Sequence, residues 1–134
     1  MRVEEKYPDV LQNIELGIVS AYKYHPEMSD HDVTHVLEVL LDAYAAEKIG
    51  RPPRESSLSD LEREILANVR SMCEWRLGRG RLASDLEGRG LSPVEPKTVD
   101  EIVLCLKRVL KSVKRWNRER GRQGYLSFIV HFVK

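Results

Sequence analysis

The sequence predicts an all-α fold: a single-domain bundle of four main amphipathic helices followed by a short apolar C-terminal element. Apolar residues recur at steps of three and four in four separate segments, the period of one helix face. Each segment also begins at a residue suited to a helix start, and proline or glycine follows it.

In "YPDVLQNIELGIVSAYKYHP", Tyr7, Leu11, Ile14, Ile18, Ala21 and Tyr22 share one face. Pro8 suits the first turn, where its missing N–H costs no hydrogen bond, and Pro26 stops the run, so a helix is predicted over about 8–24. The second segment, "SDHDVTHVLEVLLDAYAAEKIG", opens at Ser29, whose hydroxyl caps while Asp32 reaches back in a capping box. Its helix is predicted over 30–49, ending near Gly50, with Val33, Leu37, Leu40 and Tyr44 as the inner stripe. After "GRPPRESS", a third helix is predicted over about 58–77, with Ser59 and Glu62 as a second capping box and Leu61, Ile65, Val69 and Met72 inward.

The connecting segment 78–97, "GRGRLASDLEGRGLSPVEPK", holds four glycines and two prolines and is too long for a bundle turn. Two readings are open: a mobile loop, or a loop with one short helical turn near Leu82 to Glu87. The fourth helix opens at Thr98 with Glu101 three residues on and is predicted over 98–120, closed by Gly121. Its inner residues are Ile102, Leu106, Val109 and Val113.

The tail 124–134, "GYLSFIVHFVK", supports two readings. As a strand, Leu126, Phe128, Val130 and Phe132 alternate on one face. As a helix, Ser127 and His131 form a narrow polar strip on a buried element. A lone strand leaves its backbone groups unpaired in a helical protein, so the helix is preferred.

Length and composition agree with one domain over residues 1–134. The chain is 42% hydrophobic and 32% charged, with six prolines and eight glycines, as in globular rather than disordered proteins. No window approaches the roughly 18 apolar residues of a membrane span, so no membrane partner is expected. The charged opening "MRVEEKYPDV" lacks an apolar signal core, and a cytoplasmic location is expected. Cys73 and Cys105 sit in apolar helical contexts without C-x-x-C spacing and are read as small buried hydrophobes.

Net charge is +1, but the chain is divided. Residues 1–67 carry 7 basic and 14 acidic side chains, a balance of −7; residues 68–134 carry 15 basic and 7 acidic, a balance of +8. Such halves attract each other within one chain or between two, or the basic half meets an outside polyanion.

The densest basic stretch, "KRVLKSVKRWNRERGRQ", has eight Lys or Arg against one Glu. At roughly 100° per residue, Lys107, Lys111, Lys114, Arg115 and Arg118 gather opposite the apolar stripe of the fourth helix, and Arg122 follows beyond Gly121. These six are the candidate surface for nucleic acid or a protein partner, with Trp116 and arginines 79, 81 and 89 as further contacts. A plainer account covers the same residues: a core-packing helix needs a polar outer face, cations suit a helix C-terminus, and Trp116, near the edge of the apolar stripe, is expected to pack inward rather than face bases.

A second candidate is metal binding by His31, His35, Glu38 and Asp42, spaced i, i+4, i+7 and i+11 within a roughly 60° sector of the second helix. "HDVTH" departs from the metalloprotease H-E-x-x-H pattern by an Asp, one methylene too short to place the water-activating carboxylate. The stripe is also expected to face solvent, without the cavity a catalytic zinc needs. "GRGRLA", 78–83, matches G-x-G-x-x-A in letters but follows a helix rather than a strand and is set aside. No G-x-S-x-G elbow is present, and no cofactor is expected.

Three classes of function follow. The first expectation is a non-enzymatic helical interaction protein that self-associates or binds a protein partner, its acidic half near the basic half of another copy. The alternative is nucleic-acid binding through helix 98–120, and the second alternative a metal-dependent enzyme on helix 30–49.

Overall fold

The computed structural model describes residues 3–131, and among these the chain is all-helical, with seven helices and no strand. They are α1 (Val3–Lys6), α2 (Pro8–Tyr24), α3 (Asp30–Lys48), α4 (Asp60–Arg76), α5 (Arg81–Glu87), α6 (Val99–Arg120) and α7 (Gly124–Ile129). None is long and apolar enough to cross a membrane.

The helix starts follow the sequence closely. Ser29 with Asp32, Ser59 with Glu62 and Thr98 with Glu101 each form a complete capping box at the head of α3, α4 and α6. Pro8 occupies the first turn of α2. The connecting segment does hold a helix, α5, which packs against α4. The tail is helical as far as Ile129; Phe132, on which the strand reading partly rested, lies outside the described residues. The one-turn α1 has too few residues to show a period and was not foreseen.

The four long helices share one core. α2 packs on α4 and α6, and α3 packs on the same two, so α2 and α3 lie across the core from each other. Ile14, Ile18, Leu37, Leu40, Ile65, Ile102 and Leu106 are almost fully buried in it. Gly17 permits the α2–α4 crossing: a Cβ there would stand 3.0 Å from Val69 Cα and 3.1 Å from the Asn68 carbonyl oxygen.

α7 closes one end. Asp30, wholly buried at the start of α3, accepts the backbone N–H groups of Tyr125 at 2.9 Å and Leu126 at 3.2 Å. It thereby caps a helix too short to be stable alone. Gln123 Nε2 donates to the carbonyls of Pro26 and Met28, and the buried Tyr125 hydroxyl donates to Glu15 at 3.1 Å. Burial pushes the Asp30 carboxyl above its usual range, against the opposing hydrogen bonds from Tyr125, Leu126 and Asn117.

Candidate functional site

α6 has two faces with different chemistry. Inward, Ile102, Leu106, Val109 and Val113 are buried, a contribution of about 6–12 kcal/mol at roughly 1.5–3 kcal/mol each. Outward, Lys107, Lys111, Lys114, Arg115 and Arg118 are exposed. At a rise of roughly 1.5 Å per residue, Lys107 to Arg118 spans about 16 Å.

Four of these side chains, Lys111, Lys114, Arg115 and Arg118, line one depression together with Arg108, with a volume of about 370 Å³. Arg108 was absent from the sequence-derived set because its position on the wheel lies toward the rim of the outer face. Its Nη1 donates to Ser112 Oγ at 3.0 Å. Arg122 does not join the depression, since its guanidinium donates to the Glu27 carbonyl oxygen at 3.0 Å and fastens the segment before α7.

The charges of this face are poorly answered within the chain. Lys107, Lys111, Lys114 and Arg118 have no carboxylate partner among the described residues, and Arg115 reaches only Glu119, at 3.9 Å. Many acids of the first half are occupied elsewhere. Asp9 pairs with Arg76 at 2.7 Å, Glu47 with Arg79 at 2.6 Å, and Asp42 with Arg51 at 3.1 Å. Asp32 and Glu62 belong to helix caps, Glu64 pairs with His25, and Asp30 holds α7. Arg79, considered above as a further basic contact, is consumed by Glu47 and Glu74.

Three pairs in the row, Lys107 with Lys111, Lys111 with Arg115, and Lys114 with Arg118, are like charges four residues apart. Each destabilises a helix by about 0.2–0.5 kcal/mol, so the row costs about 1 kcal/mol in all. The buried face of α6 outweighs that several-fold. The fold tolerates the row, whose gains are confined to its C-terminal end, where Arg118 suits the helix terminus and Arg115 faces Glu119.

The histidine stripe of α3 is divided by its neighbours. His35 Nδ1 lies 2.9 Å from Glu62 Oε2 on α4. Burial alone would raise the Glu62 carboxyl, but the Ser59 backbone N–H and His35 together hold it below the usual range. Asp42 accepts the Arg54 backbone N–H at 2.8 Å and Arg51 Nη2, and these bonds hold its carboxyl low. His31 and Glu38 are exposed. Among the described residues no three His, Cys, Asp or Glu side chains are gathered so as to hold a metal ion.

Cys73 and Cys105 are buried, and burial pushes both thiols up to about 12, which disfavours the nucleophilic thiolate. Comparison with protein-family models, with curated proteins and with solved structures finds no match to this chain.

Proposed function

We propose that the chain is a non-enzymatic nucleic-acid-binding protein that uses the outer face of α6. The observation that supports this most is the row of Lys111, Lys114, Arg115 and Arg118 along one depression, cations that among the described residues meet only Glu119, 3.9 Å from Arg115. Phosphates of a nucleic acid supply the missing countercharge at regular spacing along a row of this length.

Self-association through opposite halves is favoured less by the same geometry. Many first-half carboxylates are engaged in caps and internal ion pairs, which leaves fewer of them to receive the row from a second copy.

A polarisation titration with labelled oligonucleotides across a salt series tests the proposal. If Lys111, Lys114, Arg115 and Arg118 meet phosphates, the slope of log K against log salt is about −2.8 for a single strand. Affinity then falls about 50-fold between 50 and 200 mM salt. Absence of binding at micromolar protein and low salt rejects the proposal, and light scattering in the same buffers reports any dimer.

A further inference from the structure

Directly beside the cation row, Trp116 of α6 stacks on Phe128 of α7, with ring centroids 4.2 Å apart and planes 18° from parallel. Two guanidiniums lie over the same indole, Arg115 at 5.6 Å and Arg120 at 5.7 Å from its centroid. The pair forms one wall of a cavity of about 440 Å³, completed by Arg120, Gln123, Gly124 and Ser127. That volume lies within the range of small-ligand sites.

Three features of this cavity bear on what it takes. Its wall is aromatic, which suits a flat, delocalised ring. Arg120 has no carboxylate partner among the described residues, so a cation stands at the mouth. Arg115 both lines the cation depression and lies over Trp116, which joins the two places into one continuous surface. The wall is also built before any ligand arrives, because Asp30 and Gln123 hold α7 in position, and this lowers the ordering cost of binding.

We infer that the nucleic acid is single-stranded: phosphates follow Lys111, Lys114, Arg115 and Arg118 while one base enters the cavity against Trp116. A duplex keeps its base faces stacked inside and can use only the cation row. A row of cations beside an aromatic wall is the combination by which single strands are held without dependence on sequence. This inference rests on the α6 face being the nucleic-acid surface, and the experiment below separates the two.

The chain has two tryptophans, so Trp75→Phe leaves Trp116 as the sole reporter. That substitution also removes a buried indole N–H that has no hydrogen-bond partner. This variant is titrated with oligothymidylate, with the corresponding duplex, with inorganic polyphosphate and with polyglutamate. The expected result is that oligothymidylate binds at least about tenfold tighter than the other three and quenches the emission. Trp116→Leu should weaken oligothymidylate binding about 5- to 100-fold and leave polyphosphate binding unchanged. Equal affinity for strand, duplex and polyphosphate with unmoved emission overturns the base site while leaving the α6 surface standing. Polyglutamate binding as tightly as oligothymidylate overturns it in favour of an acidic protein partner. Binding of none of the four removes the α6 surface as well.

Discussion

Lys111→Glu should make the protein more stable while weakening the nucleic-acid binding proposed for α6. Lys111 sits one turn from both Lys107 and Arg115, so the wild-type chain carries two repulsive i, i+4 pairs at this point. Glutamate turns both into attractions. Each pair changes from about 0.2–0.5 kcal/mol unfavourable to the same amount favourable, a gain of about 0.8–2 kcal/mol at low ionic strength. Position 111 lies in the middle of α6 (Val99–Arg120), beyond the terminal turns where the helix dipole would oppose a carboxylate. For a chain of 134 residues, 1 kcal/mol corresponds to about 3–4 °C in Tm. Thermal unfolding followed by circular dichroism should therefore rise by about 3–7 °C in low salt, and most of the gain should vanish in molar salt, where exposed charges are screened. In the same variant the salt slope of binding should shrink by at least one phosphate contact, about 0.7. A lowered Tm in low salt would refute the assignment of this face as a row of unanswered charge.

Four further outcomes follow from other parts of the molecule. Gly124→Ala puts a Cβ on the Trp116 carbonyl oxygen and 2.6 Å from Arg120 Cβ, an overpacking of about 1–3 kcal/mol, whereas Gly88→Ala meets only ordinary contacts at 3.5 Å. Melting curves should show the first lowered by several degrees and the second within about 0.5 kcal/mol of wild type. Asp30→Ala strands the N–H groups of Tyr125 and Leu126 and should cost about 1–3 kcal/mol in a denaturant titration, with a red shift of Trp116 emission as α7 lifts. The lowered carboxyls of Glu62 and Glu101 contribute stability that is full above the ordinary carboxylate value and is lost as pH falls through their folded values. Glu62→Gln with Glu101→Gln should flatten the fall of Tm between about pH 5 and 2, while the raised Asp30 and Glu15 act in the opposite direction, losing stability as pH rises through their folded values. Because His35 is bonded to Glu62 and Asp42 to Arg51, added zinc or nickel should leave Tm unchanged; a clear rise would restore the four-residue set as a metal site.

The helices were legible because their determinants are local. A capping box needs two residues three apart, and an apolar stripe needs only the helical period, so Ser59 with Glu62 and Ile102 with Leu106 can be read without knowing what lies opposite. The role of Asp30 is different in kind. In the sequence it is one more acid in the first turn of a helix, a place that acids favour anyway. Its burial and its two N–H donors come from residues about 95 positions away. Gly124 is similar, since a glycine at the head of a short helix gives no local sign that a carbonyl from α6 will occupy the space of its missing Cβ. His35 was placed correctly on its helix, but the wheel could not show that Glu62 of α4 would stand beside it.

The sign of the charges on α6 belongs to the same non-local class, and the folded chain changes how it should be weighed. Any outer face must be polar, so a row of lysines is cheaply explained as long as acids from elsewhere can reach it. The −7 and +8 halves suggested that they would. Folding instead directs many first-half acids to Arg76, Arg79, Arg51 and the helix caps; Glu15 comes beside Arg108, and among the described residues Lys107, Lys111, Lys114, Arg115 and Arg118 meet only Glu119, from α6 itself. Solvation alone would be served equally by alternating Lys and Glu, which at i, i+4 would add stability where the present row subtracts about 1 kcal/mol. That cost, set beside an aromatic wall that Asp30 holds in place from another helix, is the ground on which a binding surface is proposed here.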